Sequence, residues 1–97
     1  MKVVLTDNAL ADLDHITDYI AVDNPRRATS FGNELIDAAE AIGNIPFGFA
    51  FVPGYADRGI RRKPYRAYSI FFRIVEERVD VLHILHGAQD YDAILDD

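Results

Sequence analysis

Apolar residues recur at helical spacing in the first half of the chain, with charged residues between them. In the first run, from Asn8 to about Val22, the apolar positions are Leu10, Leu13, Ile16 and Ile20. In the second run, which begins at Pro25, they are Ala28, Phe31, Leu35, Ala38 and Ile42. Steps of three and four residues place each set on one face of a helix. The pattern predicts two amphipathic helices that form an antiparallel helical hairpin.

The ends of both helices carry local signals. Thr6 is a capping candidate before the first helix, and Asn24 followed by Pro25 is typical of a helix start. Gly43 is predicted to end the second helix in the left-handed conformation. Pro46 then prevents the helix from resuming. The turn between the two helices is therefore only two or three residues long.

In the second half of the chain the pattern changes to the two-residue period of β-strands. Tyr68, Ile70, Phe72 and Ile74 alternate along one predicted face. The predicted strands are Lys2–Leu5, Gly59–Lys63, Ala67–Val75 and Val79–His86, with one last helical turn at Tyr91–Leu95. We expect the second of these strands to end before Pro64, because proline cannot donate to a ladder. The segment from Phe47 to Asp57 has the glycine and proline content of a loop.

The order β-α-α-β-β-β predicts an α+β fold. We expect an N-terminal strand and a helical hairpin packed on one face of a three- to four-stranded antiparallel sheet. At 97 residues the chain is expected to form a single domain, 1–97. It has no cysteine, which excludes disulfides and thiolate metal sites. The apolar run Val3–Leu5 is too short for a signal peptide or a membrane span, so we expect a cytoplasmic protein with no membrane partner.

The charges of the chain are segregated along the sequence. Six basic residues and no acidic residue lie between Arg58 and Arg73, which we call the basic strip. The rest of the chain keeps 4 of the 10 basic residues and all 16 acidic ones, a net charge of −12 against −6 overall. A one-sided interaction surface and a solvated strand edge both explain this pattern. Side chains alternate along a strand, so Arg61 and Lys63 should lie opposite Arg62. The overall acidity argues against direct nucleic-acid binding by the chain alone.

The residues give no clear catalytic set. His83 and His86 are three apart on a predicted strand and should face opposite sides, so we expect no metal site there. We predict that His83 is a hydrogen-bonded histidine within the sheet, whereas for His86, at a strand end, a surface role stays open. Asp12 and its helical neighbours Asp14 and Asp18 are predicted to lie on a solvated face with ordinary pKa values.

Three segments carry a family pattern: LTDNALADLDHITDYIAVDNPRRATSF, AIGNIPFGFAFVPGYADRGIRR and YSIFFRIVEERVDVLHILHGAQDYDAIL. In their order and spacing they resemble the ParE/RelE superfamily of bacterial toxins, over about Val4 to Leu95. The fold that the resemblance implies agrees with the one read from periodicity. The resemblance further implies the toxin component of a type II toxin–antitoxin module that needs no cofactor.

Two positions favour the ParE-like branch, that of the plasmid stabilisation system proteins. RelE-like members are ribosome-dependent ribonucleases that use arginines, and Ser69 and Gln89 stand at two of these arginine positions. A missing charge-stabilising donor costs about 2.7–4 kcal/mol of barrier, so both losses argue against cleavage. The weak catalytic candidates that remain are Arg61, Arg62, Arg66, His86 and Tyr91.

The ParE-like assignment implies a ParD-like antitoxin, a hetero-oligomer with it, and DNA gyrase as the inhibited target. The candidates for contacting the antitoxin, by helix-in-groove docking or strand addition, are Leu10, Leu13, Ile20, Phe31, Leu35, Arg58 and Arg73. Two alternatives stay open. One is a ribosome-dependent mRNA endonuclease of the RelE type, and the other is a non-enzymatic corepressor module that works with the antitoxin.

Overall fold

A computed structural model describes residues 1–96. Its main elements are β1 (Lys2–Leu5), α1 (Asp7–Ala21), α2 (Pro25–Ala41), β2 (Ile60–Tyr65), β3 (Tyr68–Val75), β4 (Arg78–His86) and α3 (Tyr91–Leu95). Short 3₁₀ turns at Ile42–Asn44, Pro46–Gly48 and Ala56–Arg58 shape the connection between α2 and β2. No helix described within residues 1–96 has the length and apolar character that a membrane crossing requires.

The four strands form one sheet in the order β1-β4-β3-β2, which confirms the α+β fold. β2 pairs antiparallel with β3, and β3 with β4, as expected, but β1 runs parallel to β4. The sheet is therefore mixed rather than wholly antiparallel. Parallel neighbours need a long connection, which the helical hairpin and the β2–β3 hairpin supply here. β2 continues past Pro64, where the predicted strand ended. β2 is an edge strand, and its outer side has no ladder partner, so a residue without an N–H is tolerated there.

The helical hairpin packs on one face of the sheet and forms the main core. The predicted stripes supply Leu13 and Ile16 from α1 and Phe31 and Leu35 from α2, and these meet the alternate residues of the strands. The buried strand positions of this core are Ile70, Phe72, Val79, Val81 and Ile84. The two-helix prediction and the two-residue period of β3 are both confirmed.

The two helix starts are capped as the sequence predicts. Thr6 Oγ1 accepts a hydrogen bond from the Ala9 N–H at 3.3 Å and donates to the Val81 carbonyl at 2.8 Å. Asn24 Oδ1 accepts from the Arg27 N–H at 3.1 Å. The Thr6 hydroxyl thus ends β1, starts α1 and ties both to β4.

The predicted left-handed cap at Gly43 is wrong. The chain continues from α2 into the 3₁₀ turn Ile42–Asn44, and Gly43 is not among the residues with positive φ. The glycine is needed for close packing instead, because a Cβ on Gly43 would lie 2.3 Å from the Met1 carbonyl oxygen. The Met1 ammonium group also donates to the Gly43 carbonyl at 2.8 Å.

The opposite face of the sheet has a second, smaller core that periodicity did not predict. Val52 and Tyr55 from the α2–β2 connection and Leu95 from α3 cover Ile60, Phe71 and Leu85. Residues Ile70, Phe71 and Phe72 of β3 are consequently all buried. The register of β3 and β4 shifts between Phe71 and Phe72, so one residue of β4, Leu82, has no partner in the ladder.

Candidate functional site

The basic strip is divided between the two faces of the sheet. In the β2–β3 register Arg61 and Lys63 pair with residues of the main core, and Arg62 pairs with Phe71 of the second core. The prediction that Arg62 faces the other side is therefore confirmed. No single surface can contain the whole strip, and each basic residue has its own surroundings.

Arg61 and Lys63 hold β2 to the segments beside it. Arg61 donates to the Phe49 carbonyl at 2.7 Å, and its guanidinium lies 3.9 Å from the centre of the Phe51 ring. Lys63 Nζ donates to the Ala38 carbonyl at 2.7 Å, in the last turn of α2, where the carbonyls lack a helical partner. Burial lowers the pKa of Lys63 below its ordinary value. Both side chains therefore stabilise the position of β2 through contacts within the chain.

Arg66 lies in the turn between β2 and β3, with a positive φ of 52°. Its Nε is 3.5 Å from Glu34 Oε1, which also accepts a hydrogen bond from the Tyr65 hydroxyl at 2.7 Å. Arg27 donates to the other oxygen of the same carboxylate. Hydrogen bonds from Arg27 and then Tyr65 lower the pKa of Glu34. Arg66 is thereby paired within its own chain.

Arg58 and Arg73 line a cleft of about 260 Å³ on the face of the sheet opposite the helical hairpin. Six elements meet there: the start of α1, the three strands β2, β3 and β4, the turn before β2, and α3. Arg58 is 3.6 Å from Asp96 Oδ1 in an exposed ion pair. Arg73 is exposed, and within residues 1–96 no carboxylate lies in ion-pair distance of it.

One wall of this cleft is His83, which is a hydrogen-bonded histidine located in the sheet, as predicted, although its partner lies in α1. Its Nδ1 lies 2.8 Å from Asp12 Oδ2 of α1, and the same oxygen accepts the Ile84 N–H at 2.9 Å. The prediction of a solvated Asp12 is therefore wrong, because this carboxylate bonds two groups of β4 and is largely buried. The partners are 71 residues apart, so the helical pattern gave no signal of the contact.

The five weak catalytic candidates do not form one constellation. His86 is edge-on to Tyr68 at 5.2 Å and accepts the Ala88 N–H at Nδ1, on the side of the main core. Tyr91 packs on Phe71 at 5.5 Å in the second core, on the other side of the sheet. The three arginines of the set are divided as described above, between both faces and the β2–β3 turn.

The antitoxin-contact candidates fall into a buried group and an exposed group. Leu13, Phe31 and Leu35 are buried in the main core, and of these three only Leu13 also lines the groove between α1 and α2. Ile20 is partly buried against that core, whereas Leu10 is 47 % exposed. Arg58 and Arg73 are exposed at the cleft. The sheet covers most of the apolar stripes to which the five apolar candidates belong.

Other exposed apolar side chains were not among the candidates: Tyr19, Val22, Ile45, Phe47 and Phe51. A groove of about 500 Å³ also runs along the outer surface between α1 and α2. Small side chains at Ala21 and Ala28 and a glycine at position 32 keep this groove open. Among residues 1–96, no three His, Asp or Glu side chains cluster as metal ligands.

The fold and these surfaces define a small α+β domain with an apolar groove on its helices and an arginine-lined cleft on its sheet. The chain belongs to the ParE toxin family: the sequence model described as "ParE toxin of type II toxin-antitoxin system, parDE" matches residues 3–91. It is therefore a toxin of the type II class.

A solved structure described as "Chromosomal ParDE TA system from P. aeruginosa" has a similar fold. The identity is 24 % and the TM-score 0.78, with 89 % of this chain and 95 % of that chain covered. No protein with a curated description matches the sequence significantly.

Proposed function

We propose that this toxin acts in the cytoplasm by inhibiting DNA gyrase, without cleaving RNA, and that a ParD-like antitoxin neutralises it. One observation carries the proposal. The RelE-like ribonucleases have arginines at two positions where this chain has Ser69 and Gln89. Ser69 is 7 % exposed and lies in the sheet between Pro64 and Leu85. Gln89 uses its Oε1 to accept the His86 N–H at 2.8 Å. Neither residue offers a cation to a phosphorane.

The charge distribution supports a protein target. Ribosome and nucleic-acid binders rely on many lysine and arginine contacts to phosphates. Here the chain carries a net charge of −6, and Arg61, Lys63 and Arg66 are engaged within the molecule. Few cations are left for a phosphate-rich partner.

The groove between α1 and α2 supports helix docking by the antitoxin. An amphipathic helix can place aliphatic side chains between the two toxin helices, because small residues line the groove and let the partner backbone approach. β1 is the second surface to consider, since it is an edge strand with a neighbour on one side only. A segment of the antitoxin can add to this edge by strand pairing.

The target is tested with purified components. The toxin is incubated with gyrase, ATP and relaxed plasmid, and in parallel with translating ribosomes followed by primer extension on the message. We expect loss of supercoiling and no message cleavage. Codon-positioned cuts with normal supercoiling would replace the gyrase proposal by the endonuclease alternative.

The docking mode is tested with a matched pair of variants. Thr29 is exposed and lines the groove, and Asn44 is exposed outside it. Both are replaced by arginine, which adds the same charge, and binding to the antitoxin from the neighbouring reading frame is measured by calorimetry. We expect Thr29→Arg to weaken binding at least about tenfold and Asn44→Arg to leave it unchanged. Equal affinities would show that the antitoxin docks elsewhere.

A further inference from the structure

We propose that the cleft at Arg58 and Arg73 is a carboxylate-binding site, which receives an acidic side chain presented by a protein partner. Arg73 extends from β3 and Arg58 from the turn before β2, and Ile60 between them pairs with Arg73 across the two strands. Two guanidinium groups beside one cleft suit a carboxylate, because the planar guanidinium donates two parallel hydrogen bonds to it.

The chain itself already places one carboxylate beside Arg58. Asp96 of the C-terminal segment pairs with Arg58, and its Oδ1 accepts a hydrogen bond from the Tyr55 hydroxyl at 2.9 Å. Asp92 Oδ1 is also 2.9 Å from that hydroxyl. A phenol has one proton and can donate to one of the two carboxylates at a time. The ion pair between Asp96 and Arg58 is exposed and 3.6 Å long, so it is weak, and within residues 1–96 Arg73 has no carboxylate partner that would compete with a ligand.

The floor and walls of the cleft are fixed rather than adaptable. Ile60 and Leu95 are buried in the second core, and the His83 ring is held by Asp12. A volume of about 260 Å³ is below the range of about 300–1,000 Å³ that is usual for cofactors and drug-sized ligands. The cleft is therefore sized for one or two side chains of a peptide, with an aliphatic group on the floor and a carboxylate at the arginines.

Charge favours an acidic peptide over a nucleic acid as the occupant. A nucleic acid brings a continuous row of phosphates to a protein whose residues outside the basic strip carry a net charge of −12. A peptide can present a single carboxylate at the two arginines and keep other groups neutral. The identification of the antitoxin as the source of this peptide rests on the proposed function. The proposal of a carboxylate-binding site at the two arginines does not.

The site is tested by NMR titration of the full toxin with acetyl-Leu-Glu-amide. Saturable shifts are expected at the amides of Ile60, Leu82 and Leu95. The neutral acetyl-Leu-Gln-amide, inorganic phosphate and a six-residue oligothymidylate are the comparison probes, and we expect each to bind at least about tenfold more weakly. Arg73→Gln is expected to lower the affinity for the glutamate peptide about tenfold. Arg62→Gln, which removes an exposed arginine outside the cleft, should leave it unchanged.

A gain of affinity gives an independent check. Asp96→Asn removes the competing carboxylate and should raise the affinity about twofold, whereas Asp18→Asn on α1 should not. Equal binding of the glutamine peptide, tighter binding of phosphate or oligonucleotide, or an unchanged Arg73→Gln affinity in a folded variant would each overturn the proposal. Because these probes require neither gyrase nor antitoxin, their failure would leave the proposed toxin function standing.

Discussion

At the scale of single residues, Asp12 shows how one carboxylate can fix the relation between a helix and a sheet. It accepts from the Ile84 N–H and bonds the ring of His83, so both of its β4 contacts use one oxygen. A largely buried carboxylate is tolerated only when such donors replace its water. The pair also fixes one wall of the cleft, which links folding to the proposed binding site.

Replacing Asp12 with alanine should lower the free energy of unfolding by about 2 kcal/mol, because the Ile84 N–H and the His83 ring lose their partner inside the structure. Urea denaturation measures this loss. Asp14→Ala on the exposed side of α1 is the matched control and should stay within about 0.5 kcal/mol of wild type. Two variants of equal stability would show that the Asp12 contacts contribute nothing net.

Lys63 gives a prediction about pH. Burial lowers its pKa in the folded state below the ordinary value of 10.5. Between those two pKa values the unfolded chain binds more protons, so the free energy of unfolding of the wild type should rise with pH relative to that of Lys63→Met. Subtracting the two curves removes the opposite effect of Tyr55 and Tyr68, whose pKa values are raised. A difference that stays constant from about pH 8 to about pH 11 would contradict the assignment.

At the scale of elements, the sequence predicted what local patterns determine and missed what depends on distant contacts. Both helices, their N-caps at Thr6 and Asn24, and the three C-terminal strands followed from periodicity and capping. The second core did not, because the α2–β2 connection and α3 have no long periodic stretch and gain their order by packing on β3. The parallel pairing of β1 was missed for a similar reason, since strand direction depends on the whole connection.

Gly43 lies in the turn after α2 and packs against Met1, the residue before β1. Gly43→Ala should cost about 1–3 kcal/mol of unfolding free energy, since its Cβ would lie 2.3 Å from the Met1 carbonyl and force the backbone apart. Gly48→Ala is the control, because its Cβ would meet Ile45 at an ordinary 3.6 Å. Chemical denaturation compares the two. Should both variants match the wild type, the N-terminal strand does not need this close approach.

At the scale of the whole molecule, the candidate site was predictable only in part. Arg58 and Arg73 stood out because the basic strip contrasts with an acidic chain. Their meeting with His83 and α3 was not predicted, because the cleft joins residues from the start of α1, three strands and α3, which span most of the sequence. The burial of Leu13 and Leu35 in the main core was not predicted either, because periodicity identifies an apolar face but not what covers it.

The segregated charges lead to a prediction about association with the antitoxin. At 0.15 M salt the Debye length is about 8 Å, which is short compared with a molecule that measures 40 × 28 × 22 Å. An approaching acidic partner is therefore influenced by the arginines facing it more than by the net charge of −6. We expect the association rate constant to fall about fivefold between 0.15 and 1 M salt, with little change in dissociation.

Two arginine variants separate steering from contact in the same stopped-flow experiment. Arg62 is exposed outside the cleft, so Arg62→Gln should slow association and leave dissociation unchanged. Arg73 lines the cleft, so Arg73→Gln should mainly speed dissociation, because the bound carboxylate loses its partner. If salt left the association rate constant unchanged and both variants associated and dissociated at the wild-type rates, the basic strip would have no steering role. The cleft would then have to recognise its partner by shape and apolar contact alone.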